Sequence, residues 1–88
     1  MRKLHFTDDA KKFVEKLDAK QYRQVVRKIF SLAGNPIPND SIKLEGAQIL
    51  RVDQGEYRIV YRFDAETVYI EVVGKRNDDE VYIKARRR

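Results

Sequence analysis

Eighty-eight residues carrying 19 Lys and Arg against 14 Asp and Glu leave a net charge of +5, which points to polyanionic partners. A chain this short makes one domain, spanning residues 1–88, and buries only about 60–65% of its unfolded surface, enough for one core layer. With no cysteine, disulfides and thiolate metal sites are excluded, and with His5 as the lone imidazole neither metal nor cofactor is expected.

The N-terminus, Met1-Arg2-Lys3, runs into alternating Leu4-His5-Phe6. That alternation suggests a short strand rather than the hydrophobic core of an export signal. No apolar run approaches a membrane span, so we expect a soluble cytoplasmic protein without membrane contacts. His5 falls on the surface or at a strand edge. Thr7 then caps a helix whose positive end carries Asp8 and Asp9. Ala10, Phe13, Val14 and Leu17 recur on one face of it, and Lys11, Lys12, Glu15 and Lys16 face water. Asp18 caps a second helix striped by Tyr22, Val25, Val26, Ile29 and Leu32, which Gly34 and Pro36 stop. The tight connection makes the two an antiparallel hairpin, and both stripes read as core, since apolar helix faces are what one side of a sheet requires. Residues 35–40 have loop composition, and Ile42 and Leu44 lead as a linker through Gly46 toward a strand beginning near Ile49.

Residues 49–73 read as three antiparallel strands, and parity sorts their side chains onto two faces. Taking Asp53-Gln54-Gly55-Glu56 as the first turn places Val52 opposite Tyr57, Arg51 opposite Arg58 and Leu50 opposite Ile59. A second turn at Ala65-Glu66 places Phe63 opposite Val68, Tyr61 opposite Ile70 and Ile59 opposite Val72. One face is then apolar and takes the helices. The other holds Ile49, Arg51, Arg58, Val60, Arg62, Tyr69, Glu71 and Val73. Two arginines facing each other repel. They are either splayed into water on a solvated face, or the two forks of a site that a phosphate would neutralise. The fold class is α+β: an N-terminal strand and a two-helix hairpin packed on one face of a small, mainly antiparallel sheet. Beyond it, residues 74–79 form a polar loop and residues 80–84 suit a short strand or a helical turn. The terminal Lys84 to Arg88 run is strongly basic, as a frayed solubilising end or as a binding element.

No P-loop appears, so the chemistry left is that of permanently charged arginines with tyrosines nearby. Such a cluster can hold a phosphodiester and stabilise the charge that builds on it. It could cleave RNA without metal, because the 2′-hydroxyl is an internal nucleophile that DNA lacks.

Leu44-Glu45-Gly46, Leu50-Arg51-Val52, Gly55-Glu56-Tyr57-Arg58-Ile59-Val60-Tyr61, and Gly74-Lys75-Arg76 followed by Glu80-Val81-Tyr82 resemble the RelE/ParE toxin superfamily, closer to its RelE-type branch. The order strand, two helices, three strands matches over nearly the whole chain. This resemblance implies a type II toxin–antitoxin toxin, bacterial or archaeal, acting as a ribosome-dependent mRNA endonuclease that leaves a 2′,3′-cyclic phosphate. It implies as partners the ribosome, mRNA and a cognate antitoxin, which the +5 charge suggests is acidic and partly disordered. By the same resemblance Arg58 stabilises the transition state, Arg76 protonates the leaving oxygen and Tyr82 stacks on or orients the nucleotide. Arg51 stands where RelE has a lysine, and Ile49 where RelE has a second. Lys75, Lys84 and Arg86 are further RNA-binding positions. Glu71, placed by parity diagonal to Arg58, is either a base or a structural counter-ion, and Arg62 is peripheral. The ParE branch shares the scaffold but poisons DNA gyrase. A non-catalytic nucleic-acid-binding domain, stacking bases on Tyr57, Tyr69 or Tyr82, is the remaining alternative.

Overall fold

The computed structural model describes residues 1–44 and 48–77. Among them the chain forms β1 (Lys3–Phe6), α1 (Asp8–Glu15), α2 (Ala19–Gly34), β2 (Ile42–Lys43), β3 (Leu50–Gln54), β4 (Tyr57–Phe63) and β5 (Thr67–Lys75). The strands make one sheet in the order β1-β5-β4-β3-β2, with β1 parallel to β5 and the other pairs antiparallel. The α+β architecture expected from the sequence is the one observed.

Both helices start where a side chain satisfies an orphan amide. Thr7 Oγ1 accepts from the Ala10 N–H at 3.2 Å, and an Asp18 carboxylate oxygen accepts from the Gln21 N–H at 2.9 Å. The Thr7 hydroxyl also donates to the Glu71 carbonyl at 2.7 Å, so the start of α1 is tied directly to β5. Leu17 lies just past α1, its N–H bonded to the Val14 carbonyl, and still packs on the core. Helix α2 ends at Gly34, and Pro36, which has no N–H, follows its cap residue Asn35.

Ala10 and Val14 of α1 and Val25, Ile29 and Leu32 of α2 pack against Val52, Ile59, Tyr61, Val68, Ile70 and Val73 of the sheet. Tyr22, expected in the α2 stripe, is instead 43% exposed, on the rim of a shallow apolar groove shared with Phe6, Val26 and Phe30. A phenol tolerates that position because its hydroxyl stays in water. Residues 42–44, expected as linker, contribute the edge strand β2, with Ile42 paired to Arg51 and Lys43 to Leu50. Two residues are too few for alternation to register.

Two features correct the expected pairing. The β3–β4 turn contains only Gly55 and Glu56, and Gly55 has φ +60°, as a two-residue turn with positive φ at its first position requires. Pairing therefore continues through Asp53 and Gln54, and Val52 faces Ile59 rather than Tyr57. The shift is two residues, so every side chain of β3 keeps its expected face while all its partners change. Between β4 and β5 the register slips by one, from Tyr61↔Ile70 to Val60↔Val72, leaving Glu71 as the extra residue of a bulge. Beyond it parity inverts. Val73, expected on the arginine face, joins the main core opposite Ile59, whereas Val72, expected in that core, packs with Val60, Leu44 and Ile49 in a small second cluster.

Among the described residues Tyr61 is the largest fully buried side chain, and its hydroxyl donates to the Pro36 carbonyl at 2.7 Å. This bond joins the central strand to the loop after α2. Burial pushes its phenol up to about 12. Tyr61→Phe should cost about 1–2 kcal/mol in denaturant unfolding, since the Pro36 carbonyl loses its donor. Because the folded phenol holds its proton more tightly than the unfolded one, the stability it contributes is complete below pH about 10 and lost as pH rises toward about 12. An alkaline unfolding profile identical in Tyr61→Phe would contradict this.

Candidate functional site: an arginine cluster around Asp53

The corrected hairpin register separates the two arginines expected to face each other. Arg51 is opposite Val60, and Arg58 is opposite Asp53, a residue that the four-residue turn had removed from the sheet. Across that ladder Arg58 Nε donates to Asp53 Oδ1 at 2.8 Å and Arg58 Nη2 to Oδ2 at 3.1 Å, a two-pronged guanidinium–carboxylate pair. Arg51 Nη1 lies 3.9 Å from the same Oδ2. The arginine side chains are mostly covered, 14% exposed for Arg58 and 20% for Arg51, while the Asp53 side chain is 37% exposed.

Arg76 arrives from a different element. It sits in the turn after β5, exposed, and its backbone N–H donates to the Glu56 carbonyl at 2.8 Å, which ties this turn to the tip of the β3–β4 hairpin. The Arg58 hydrogen bonds hold the Asp53 carboxyl below the usual carboxylate range against the opposing effect of burial, and the charges of Arg58, Arg51 and Arg76 add to that. Three of the four residues named for catalysis are therefore brought to one end of the outer sheet face. The fourth, Tyr82, and the RNA-binding positions Lys84 and Arg86 lie outside the described residues, as does the 80–84 segment. Lys75 pairs with Tyr57, whose side chain contacts Phe13 of α1, so it belongs to the helix side of the sheet at its exposed end.

Glu71 is elsewhere. As the bulge residue it bonds Arg62, with Arg62 Nε 2.8 Å from Glu71 Oε1, and the Arg62 guanidinium lies 4.0 Å from the centroid of the Tyr69 ring. His5 on the β1 edge meets the same ring edge-on at 5.8 Å. Arg62 is four positions along β4 from Arg58, a separation of about 13 Å at the rise of a strand. Parity had placed Glu71 diagonal to Arg58; the bulge turns it toward Arg62. Ile49, where RelE carries a lysine, packs in the apolar cluster with Val60 and Val72.

Sequence reasoning missed Asp53. The signal was available in the Gln54-Gly55-Glu56-Tyr57 run, because a glycine at the first position of a two-residue turn aligns Asp53 with Arg58. The depressed Asp53 carboxyl contributes stability above its unfolded pKa of about 3.9, and that contribution is lost as pH falls through the lower folded value. Carboxyl NMR titration should find Asp53 below ordinary aspartates, and Arg58→Ala should move it most of the way back. Unchanged titration in Arg58→Ala would mean the pair does not form in solution.

The comparisons with known proteins agree on the family. A family model described as the ParE toxin of the type II toxin–antitoxin system parDE matches residues 4–80. Among solved structures, the chain is 30% identical to one in the RelBE2 toxin–antitoxin complex of Mycobacterium tuberculosis, with a TM-score of 0.73, covering 85% of this chain and 98% of that one. It is 27% identical to a mutant of the E. coli toxin RelE in the free state, with a TM-score of 0.82 and coverage of 98% and 95%. It is 25% identical to a chain of the intact E. coli RelBE toxin–antitoxin complex, with a TM-score of 0.75 and coverage of 89% and 100%. A search of curated proteins finds no significant match. With the family matched over most of its length and RelE toxins sharing its fold, the chain belongs to the ParE toxin family of type II toxin–antitoxin systems, on the RelE-like side of the RelE/ParE superfamily.

Proposed function

We propose that this toxin is a metal-independent endoribonuclease that cuts mRNA on the ribosome. The convergence of Arg51, Arg58 and Arg76 on one end of the outer sheet face is the observation that carries this reading. Cleavage needs a cationic cradle in which the 2′-hydroxyl gives up its proton to water as its oxygen attacks the adjacent phosphorus, the bond to the 5′-oxygen breaks and that oxygen takes a proton, leaving a 2′,3′-cyclic phosphate. Arg51 and Arg58 hold the phosphate and the charge growing on it. Arg76, exposed at the hairpin tip, is placed to reach the leaving oxygen. Tyr82 stacks on the nucleotide, and Lys84 and Arg86 contact the RNA backbone; Lys75, which shares the helix side of the sheet with Tyr57, lies off this face. Glu71, ion-paired to Arg62 at the other end of the face, serves as a structural counter-ion.

A second reading has its own support. The matching family model is that of the ParE toxin, and Ile49 supplies a half-buried hydrophobe in place of a lysine able to accept a proton. This favours a gyrase poison. Sequencing mRNA 5′ ends after induced expression, alongside an assay of gyrase-linked DNA breaks, separates the two. Cuts within codons of translated mRNA are expected, and DNA breaks without mRNA cleavage would move the toxin to the gyrase branch. Arg58→Ala and Arg76→Ala should each abolish toxicity, with losses of about 3–4 kcal/mol in transition-state stabilisation, and Arg62→Ala should do much less. An Arg62→Ala effect equal to that of Arg58→Ala would mean that general electrostatics, not this cluster, accounts for activity.

The partner proposed is an acidic, partly disordered antitoxin encoded beside this chain, whose carboxylates approach Arg51 and Arg58 or whose docking displaces the segment from Tyr82 to Arg88. Charge steering should make association slow as salt rises, with apolar anchors keeping dissociation much less affected. Stopped-flow binding across a salt series checks this; a salt-independent association rate would rule steering out.

A further inference from the structure

Asp53 stands where the phosphodiester reading needs a phosphate. Its two oxygens take the Arg58 Nε and Nη2 protons at 2.8 and 3.1 Å, and Arg51 approaches one of them at 3.9 Å. A phosphate engages a guanidinium fork with two oxygens in the same way. Both anions cannot hold the same edge of Arg58, and an ionised carboxylate left among the arginines repels an incoming phosphate. The carboxylate is not locked in place. Its side chain is 37% exposed, and a partly exposed ion pair gives only a modest barrier to exchange.

Resting on the RNA reading above, we propose that Asp53 is a built-in competing anion, which occupies the arginine cluster when no RNA is bound and is exchanged for the scissile phosphate when RNA enters. The exchange charges every binding event with the loss of the Asp53–Arg58 pair. Isolated RNA is therefore held weakly, and productive binding requires energy from contacts outside the cluster, as a large assembly presenting the RNA provides. A pair exchanged in this way also keeps the guanidinium oriented along the outer face, ready for an anion, without leaving two mostly covered cations close together.

The test uses the purified full chain and a fluorescent single-stranded RNA oligonucleotide with every 2′-hydroxyl methylated, so that binding is read without cleavage. Asp53→Asn should bind about three- to fivefold tighter than the parent chain, the upper part of the range for one partly exposed ion pair. Asp53→Ser provides a second variant should the amide perturb the hairpin, and thermal melting reports whether each is folded. Glu66→Gln, at the exposed β4–β5 turn, removes the same charge at the other end of β4 and should change affinity by less than about twofold. In an Arg58→Ala background the Asp53→Asn gain should shrink below about twofold, because the coupling runs through that guanidinium. Equal gains from Asp53→Asn and Glu66→Gln would reduce the effect to net charge and overturn the exchange. So would weaker binding by both folded Asp53 variants, since Asp53 would then be holding Arg58 in its binding geometry. In either case the parent chain still binds, and the RNA reading survives. If no Asp53 variant binds the oligonucleotide more tightly than the parent, releasing the carboxylate does not open the cluster to phosphate and the exchange is overturned, while the RNA reading stands or falls separately on mRNA cleavage in translating cells.

Discussion

The register of β4 against its two neighbours decides what each face of this protein can do. On one side the Gly55-Glu56 turn pairs Asp53 with Arg58; on the other the Glu71 bulge shifts Val72 and Val73 by one position. Side-chain direction alternates residue by residue, so a slip of one would exchange core for surface, and a slip of two would leave the core intact but rewrite every cross-strand pair. The first turn corrects the expected pairing in the second way, and the bulge corrects it in the first. As a result the arginine face holds a neutralised pair at one end, a second ion pair at the other and an apolar patch between them.

That patch explains how a strongly basic toxin keeps a two-sided sheet. Val60 and Val72 point away from the helices and are nevertheless buried, covered by Leu44 and Ile49 next to the β2 edge strand. Ile49 thus has a packing role that a lysine could not fill without carrying its charge over an apolar surface. An apolar side chain at Ile49 and a carboxylate at Asp53 both keep the positive charge of the face down. Three arginines remain around that carboxylate, and arginine, unlike lysine, keeps its proton in any such setting.

The other side of the sheet is a conventional core with one polar commitment. Tyr61 lies at its centre and sends its hydroxyl to the Pro36 carbonyl, which fixes the loop after α2 against the sheet. Thr7 makes a comparable link ahead of α1, accepting from the first turn of that helix and donating to the bulge carbonyl of Glu71. The bulge therefore serves both faces. Its carbonyl anchors a helix cap on one, and its carboxylate pairs with Arg62 on the other.

The sequence by itself determined β1, both helices and their caps, the three longer strands and the family, because these depend on local periodicity, capping chemistry and motifs read over a few consecutive residues, whereas the edge strand β2 and the continuation of β5 through Gly74 and Lys75, expected as linker and loop, did not register. The 3.6-residue stripes of α1 and α2 and the alternation in β3 and β4 required no knowledge of a partner strand. Only the tertiary structure decided that Arg58 faces Asp53 rather than Arg51, that Val73 joins the main core and Val72 the second cluster, and that Glu71 belongs to Arg62. Each of these is a matter of register, which a chain settles by comparing the packing of whole strands. A bulge adds one residue without altering the composition of the strand that contains it, so parity counted along β5 continued past Glu71 with the wrong sign. Arg76 joined the cluster for the same kind of reason: its place beside Asp53 comes from a backbone bond to Glu56, twenty residues earlier in the chain, that only the folded hairpin brings within reach.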